Sequence, residues 1–504
     1  MLTAELHPYS MNPIAVLLAL ALSTCAYRII YLLFFHPLAS FPGPRLAAIS
    51  YWWKALKWRD GTITRELQEM HRTRGWPIIR IGPNHLSFWE PDAYKEIYLT
   101  HKFRKYSTFY DAFQTPAEHR TTFTIPEPEL HAPRRRQLSA LLSRQSVISL
   151  ERLFHEMLGV FTEKLMVHAK ENIPLNFYNA FRCLTVDTVC VFSFGRSAGC
   201  LQVDKFEAPS LVAVDKMLSG SYIRANFPGI IRFIELLPRP LQPSWQRAFG
   251  DFAQVGAGFL QAYRSAESSP KYPILFDAAS HTNNAESTLS DDQLVAEANV
   301  LFGAGGDTTG IALSIGCSYI AHDRTVRDRL FDELVAAYSS RHDVLQARWV
   351  ELEKLPYLSA CVYESLRISS PLPGELPRVV GEGGWKFNGV QIPAGTVVSA
   401  STVAVNWSER IFTDPQAFKP ERWLDSDGEF RGNMENWLVS FGKGQRACIG
   451  QTFAMAELYI FLAGFWRLFD VQMEGVGQLE VLDLFTAIPK NHDDMEGRVI
   501  ATEE

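Results

Sequence analysis

No stretch of this 504-residue chain leaves fewer folding choices than Ile14 to Phe35. Its roughly 22 residues are apolar except near Arg28, and at about 1.5 Å per residue a helix of that length crosses a hydrocarbon core of about 30 Å. In lipid each backbone N–H and C=O must find a partner within the segment, so a lone run of this kind has to be a helix. Arg28 lies near the distal end, where a long side chain reaches the headgroups. Glu5 and His7 precede the run, whereas Arg28, His36 and Arg45 stand at its end and beyond, which predicts a cytosolic bulk. A cleaved signal peptide would need a basic leader and a shorter apolar region. His36-Pro37-Leu38 and Phe41-Pro42-Gly43-Pro44 then form a stiff connector that stops the helix and aims the globular part. The chain therefore divides into an anchor (1–36), a connector (37–48) and a globular domain (49–504). The sequon Asn406-Trp407-Ser408 is expected on the cytosolic side, unmodified.

The globular part can bury a large core, as one oversized domain or two packed together. A formal charge of −6 and the lack of a Lys/Arg-rich block offer no basic field for nucleic acid. The cysteines (Cys25, Cys183, Cys190, Cys200, Cys317, Cys361 and Cys448) are irregularly spaced and form no CxxC. That argues against a zinc ribbon or disulfide framework and fits a reducing compartment.

Periodicity predicts helices over 52–58, 63–74, 131–149, 150–170, 293–322, 325–338 and 357–367, and a strand, turn and strand from Pro77 to Phe88. Ser290-Asp291-Asp292 reads as the N-cap and acidic first turn of the longest helix. Residues 102–129 are irregular and aromatic, the character of a binding lid, and 283–290 reads as a polar surface loop. Short alternating runs such as Val390 to Val398 add strands. The fold class is mainly α with small β-sheets.

Several constellations carry chemistry. In Phe441-Gly442-Lys443-Gly444-Gln445-Arg446-Ala447-Cys448-Ile449-Gly450, one cysteine sits in a Gly-rich loop just before an apolar helix. The helix dipole and free N–H donors favour the thiolate, either as a nucleophile or as a metal ligand. The Gly442-x-Gly444-x-x-Ala447 spacing imitates a dinucleotide fingerprint but lacks the βαβ context, and no histidine base stands out for a nucleophile. Ala304-Gly305-Gly306-Asp307-Thr308-Thr309 falls inside the longest helix, where glycines cost about 1 kcal/mol each. This suggests a local distortion with room for a bound molecule and a proton-transfer pair; the plain alternative is close helix packing. Glu364-Ser365-Leu366-Arg367 alone reads as a surface ion pair. Leu376-Pro377-Arg378, Pro420-Glu421-Arg422-Trp423 and the basic His131-Ala132-Pro133-Arg134-Arg135-Arg136 are individually bland.

Taken in order, the anchor, the Pro-Gly connector, Ala-Gly-x-Asp-Thr, Glu-x-x-Arg, Pro-Glu-Arg-Trp and Phe-x-x-Gly-x-Arg-x-Cys-x-Gly resemble the cytochrome P-450 superfamily. The resemblance covers essentially the whole chain. The text around Phe34-Phe35-His36-Pro37-Leu38 and Phe41-Pro42-Gly43-Pro44 is similar to fungal secondary-metabolism members. It implies the cytochrome P-450 fold behind a single transmembrane helix and a haem-thiolate monooxygenase domain over 49–504.

By that resemblance Cys448 is the axial thiolate of haem b iron, and Arg446, Arg378 and Arg135 pair with haem propionates. His131, where many members have tryptophan, shares that task, and Phe441 shields the sulfur. Asp307 and Thr308 match the acid–alcohol pair that delivers protons during oxygen activation. Glu364, Arg367 and Arg422 match a structural triad. Substrate contacts are expected from Phe109, Phe113, Phe123, Phe302, Ala304, Leu372, Glu375, Phe485 and Ile488, which suits a lipophilic terpenoid or polyketide. Glu375 is expected to point to solvent or to recognise a polar handle. With no flavin or nicotinamide domain in the sequence, electrons are expected from NADPH–cytochrome P-450 reductase, with cytochrome b5 as a second donor. Arg134, Arg136 and Lys443 are candidate docking cations, and the expected location is the endoplasmic reticulum membrane. The rival readings are a haem-thiolate isomerase or dehydratase that uses no O2, and a non-catalytic haem- or ligand-binding protein.

Overall fold

A computed structural model of the protein describes residues 12–114, 119–266, 270–276, 289–475, 477 and 479–502. Glu5 and His7, part of the aromatic loop (115–118) and most of the polar loop (283–288) lie outside the described residues. The apolar run forms a helix, Pro13–Ile30, capped by the Asn12 side chain and continued by a wider turn, Tyr31–Phe35. Pro13–Phe35 is long and apolar enough to cross a membrane and packs almost nothing against the rest. Asp291–His322 also has that length and hydropathy, but two-thirds of it is buried, so it is a core helix.

The connector is docked rather than free. Arg80 donates through Nη1 to the Leu32 carbonyl (2.9 Å) and through Nη2 to that of Pro83 (2.7 Å), and its backbone N–H bonds the Pro42 carbonyl (2.7 Å). A Cβ on Gly43 would stand 2.3 Å from the Arg80 carbonyl oxygen, so only glycine lets the chain lie this close. A short helix, Arg45–Ile49, occupies the end of the predicted connector.

Helices form most of the body. The pair Trp52–Arg59 and Ile63–Arg74 fall as their periodicity predicts. The stretch read as one helix over 131–149 is two, Pro128–Ser139 and Arg144–Ser149, the second capped by the Ser143 hydroxyl. Ser290 caps the central helix, Asp291–His322, in a full capping box with Gln293. Five short strands make one mixed sheet, in the spatial order Ile78–Gly82, His85–Phe88, Val397–Ala400, Arg378–Val379, Arg104–Lys105. In this sheet Lys105 lies opposite Arg378. A hairpin, Val481–Leu484 with Thr486–Pro489, supplies the late loop.

The central helix runs unbroken through Ala304–Thr309, contrary to the expected distortion. Its glycines serve packing instead. A Cβ on Gly306 would come within 2.5 Å of Val186 Cγ2, and one on Gly316 within 2.1 Å of Ser365 Oγ. Phe177–Phe194 and Pro356–Ser369 thus approach the central helix closely along its length.

Candidate active site

The cysteine loop is shaped by two left-handed glycines, Gly442 (φ 68°) and Gly444 (φ 72°). At Gly444 a Cβ would sit 2.3 Å from the Tyr98 carbonyl oxygen, so the position is closed to any other residue. The false dinucleotide pattern is therefore turn geometry. The Cys448 N–H donates to the Phe441 carbonyl (2.7 Å), and the helix Gln451–Leu468 starts three residues later. Protein surrounds the Cys448 thiol, yet its side chain keeps open surface, so it faces a space inside the molecule. Burial pushes its pKa up, against the pull of the Gly450 and Gln451 N–H groups and of Arg135. The expected net favour for the thiolate is thus reversed. Desolvation outweighs the helix end, and a thiolate here needs a stronger cationic partner, as a metal ion provides. Among the described residues no cluster of three or more His, Cys, Asp or Glu could hold a metal.

Beside the cysteine lies an unusual concentration of positive charge. Arg135 donates to the Ala447 carbonyl (2.7 Å), and Arg446 to those of Ile125 and Pro126 (both 2.9 Å). Arg378 donates to the Tyr110 hydroxyl (2.5 Å) and Lys105 to the Phe123 carbonyl (2.5 Å). Lys105 and Arg378 are buried, Arg135 and Arg446 half-buried. Burial, then mutual repulsion, lowers Arg446 to about 10 and drives Lys105 far down. His131 is held neutral, lowered to about 3 by burial and then by Arg446, Lys105 and Arg135. These cations bond only neutral acceptors, and the nearby Glu127 is taken by Arg120 (3.2 Å). Four crowded cations without a carboxylate fit a dianionic ligand, because burying unpaired charge is otherwise costly. Lys105 was missed by sequence reasoning, since only its pairing with Arg378 reveals it.

Asp307 and Thr308 leave the central helix in different directions. Asp307 is buried and pairs with Arg182 Nε (2.5 Å), whose Nη2 bonds Asp215 (2.6 Å). Arg182, also missed, is itself fully buried, lies 4.7 Å over the Tyr178 ring, and ends in a partly exposed Asp215. Burial raises the Asp307 pKa against the pull of Arg182, and its Oδ2 makes no hydrogen bond. Thr308 Oγ1 donates to the Ala304 carbonyl (2.8 Å), and Ala304 is exposed between part-buried Gly303 and Gly305.

Two turns earlier, buried Glu297 accepts from the N–H (2.8 Å) and hydroxyl (3.0 Å) of Thr122 and pairs with Arg134 (3.4 Å). Arg134 is therefore an internal partner and not a free docking cation, and Lys443 is half-buried on the Glu435 carbonyl, which leaves Arg136 exposed. Burial raises Glu297 to about 7 from the ordinary carboxylate value of 4.5. A raised acid protonates more readily folded than unfolded, so its contribution favours folding at low pH and fades as pH rises from 4.5 through 7. Glu297→Gln keeps the acceptor for Thr122 and removes the fade. Its denaturation midpoint relative to wild type is expected to rise from pH 5 to pH 8, by up to about 3 kcal/mol.

The pair read alone as superficial, Glu364 and Arg367, is completely buried. Arg367 holds Glu364 through two bonds (2.7 and 2.8 Å), Arg422 Nε adds one (3.1 Å) and Trp423 Nε1 another (2.9 Å). Arg367 also donates to the Asn406 and Pro415 carbonyls. Asn406, the sequon residue, is fully buried. Its amide bonds Ser370 and Ser440 (both 3.0 Å) and accepts from Val439 (3.1 Å), so it ties this network to the cysteine loop and cannot carry a glycan.

The lid aromatics converge. Phe113 stacks on Phe485 (4.3 Å), and Phe109 and Phe123 close the group at 5.5 and 6.0 Å from Phe113. Leu372 and Glu375 line a cavity with Phe109 and Phe485. Glu375 is buried there, which corrects its expected exposure to solvent. Phe302 packs on Phe252 (5.5 Å) and Ile488 pairs with Leu482 in the hairpin, both outside this group. Phe441 is half-buried against the main core.

The sequence of residues 42–493 matches the family model described as Cytochrome P450, and the chain belongs to that family. It is an enzyme of the P450 monooxygenase class. It is 30% identical over 454 residues to cytochrome P450 monooxygenase aneF of Aspergillus aculeatus, covering 87% of this chain and 90% of that protein. To macH of Penicillium terrestre it is 29% identical (93% and 94% covered), and to sdnE of Sordaria araneosa 31% (88% and 89%).

Proposed function

We propose that the protein is a membrane-anchored haem-thiolate monooxygenase that hydroxylates or epoxidises a lipophilic fungal secondary metabolite. One observation carries the reading: Cys448 opens onto an internal space beside four cations that have no carboxylate partner. Haem b fits this donor set, with one iron for the sulfur and two propionates for the cations. When bound, the haem supplies the iron at which O2 is activated. Cys448 ligates it from one side and Phe441 borders the sulfur. Arg135, Arg378, Arg446 and Lys105 hold the propionates, with neutral His131 among them. Thr308 Oγ presents a hydroxyl on the central helix, and the Asp307 carboxyl, oriented by the fixed charge of Arg182, takes up and passes on protons through its unbonded Oδ2. The aromatic group of Phe109, Phe113, Phe123 and Phe485 excludes water around a mostly apolar substrate, such as a terpenoid or polyketide.

Residues 1–36 form the anchor in the endoplasmic reticulum membrane and 49–504 the cytosolic catalytic domain, with Arg45–Ile49 already part of its surface. Exposed Phe233, Leu236 and Leu241 follow Phe227, which packs on Trp52 (4.3 Å between ring centres), so one apolar face lies beside the helix after the connector. This supports contact with the same bilayer. Electrons come from NADPH–cytochrome P450 reductase, with cytochrome b5 as second donor.

The test is the absorption spectrum of the reduced, CO-bound protein, followed by product analysis in microsomes supplied with candidate metabolites. The long-wavelength band of thiolate-ligated haem is expected, and a band typical of histidine- or thiol-ligated haem would sink the assignment. Turnover without O2 and NADPH would transfer it to the isomerase or dehydratase reading. Lys105→Met supplies a second check. Haem content per protein is expected to fall, while the haem-free protein becomes more heat-stable because one repelling cation has gone.

A further inference from the structure

The aromatic group borders a cavity whose far wall is not apolar. Lys54, Thr64, Glu375 and Asp483 line it together with Trp58, Leu67, Phe109, Leu372 and Phe485. Asp483 is fully engaged: Thr64 Oγ1 donates to Oδ2 (2.5 Å) and the Phe485 N–H to Oδ1 (3.3 Å). Glu375 is 91% buried, and neither of its carboxylate oxygens has a hydrogen-bond partner. The Ser87 and Ser399 hydroxyls stand close enough to pull the Glu375 pKa down but make no well-formed hydrogen bond to it, and Ser399 Oγ is in contact with His85 Nε2 (2.7 Å). Lys54 Nζ contacts His85 Nδ1 (3.5 Å) and attracts Glu375 without forming an ion pair with it. Gly374 keeps the corner open, since a Cβ there would lie 3.0 Å from Asp483 Oδ2.

Two carboxylates thus share one cation in a water-poor wall, and one of them is wholly unpaired. An unpaired buried acid costs several kcal/mol unless a proton or a cation satisfies it. The free space is about 30 Å³, room for two or three waters at about 10–15 Å³ each, or for one small polar head. No other charged side chain among those lining the cavity answers the excess negative charge.

We infer that Glu375, with Asp483 beside it, is a recognition site for a protonated primary or secondary amine on the substrate. This rests on reading the aromatic-lined cavity as the substrate site. The ammonium donates to the orphan carboxylate oxygens while the apolar remainder lies along Phe109 and Phe485. Burial raises Glu375 and Asp483 (the latter to about 6) and lowers Lys54 against the attraction of the two carboxylates, so each of the three is held short of its ordinary charge by the dry wall. The site discriminates against carboxylate-bearing substrates of the same shape and favours amines over alcohols.

The experiment titrates the haem-loaded full chain with dodecylamine and with 1-dodecanol at pH 7, following the haem spectrum. With wild type, the amine is expected to bind about tenfold more tightly than the alcohol, the worth of one charge-assisted hydrogen bond. It should also give the shift that marks loss of iron-bound water, because its nitrogen is held at Glu375. In Glu375→Gln the preference should vanish or the amine should turn to ligate iron, with alcohol affinity unchanged. In Lys54→Met, which removes the competing cation, amine affinity should rise, so the inference can be tested even where the first variant folds poorly. Equal affinities in wild type, iron ligation by the amine in wild type, or an amine preference that survives Glu375→Gln would overturn it. Absence of any shift with dodecanol would overturn the cavity reading itself, and this is a different result from a shift that ignores the amine.

Discussion

Cys448→Ala is expected to give a folded protein that has lost the thiolate haem band and all oxygenase turnover. The loop around the residue is held by backbone, through the Cys448 N–H on Phe441 and the two left-handed glycines, so removing the sulfur disturbs little. The side chain faces open space, and truncating it removes few packing contacts, worth about 1 kcal/mol at most. Alanine offers no donor atom to a metal. Thermal denaturation should therefore shift by a few degrees while the spectrum of the reduced, CO-bound protein changes completely. A variant that kept the band and the activity would remove Cys448 from the ligand position.

Glu364→Ala is expected to act on stability first and on haem only afterwards. It strands Arg367, which is fully buried, and Arg422, which nearly is, and removes the acceptor of Trp423. Breaking one side of such a pair costs about 3–5 kcal/mol. In wild type, burial opposes the Glu364 carboxylate, but Arg367 and then Arg422 hold its pKa below the ordinary value. The stability it contributes is present above the unfolded value near 4.5 and is lost as pH falls below it. Denaturant midpoints measured on both sides of pH 4.5 should show a full gap between wild type and Glu364→Ala at neutral pH that narrows in acid, below the ordinary carboxylate value. A variant with the wild-type midpoint at pH 7 would show that Glu364 does not hold this network together.

How much of this could be read from the chain depends on whether a residue's partners are near in sequence. The anchor, the capped central helix and the helix after the cysteine follow from local periodicity and end signals, and the structure places them within a few residues. Local text also exposed the cysteine loop. Glu364, by contrast, reads as a surface residue because its burial comes from 406–423, which no window around it contains. Lys105 and Arg182 were invisible for the same reason: each matters through a residue more than 100 positions away. Glycine at 306 was ambiguous between distortion and packing, and only the neighbouring Val186 decides it. Glu375 kept two readings open because solvent and cavity look alike from one strand's sequence.

The bond between Arg80 and the Leu32 carbonyl gives the membrane helix a rigid bearing on the first sheet. A linker of free glycines would let the body roll on the bilayer and present its openings in any direction. Here the guanidinium spans from the last turn of the helix to the turn after the strand, so the tilt of the body follows the tilt of the helix. With that helix seated in a bilayer, a lipophile arriving from the leaflet would meet the same side of the protein at each encounter, and bilayer thickness, by tilting the helix, would control how that side is presented.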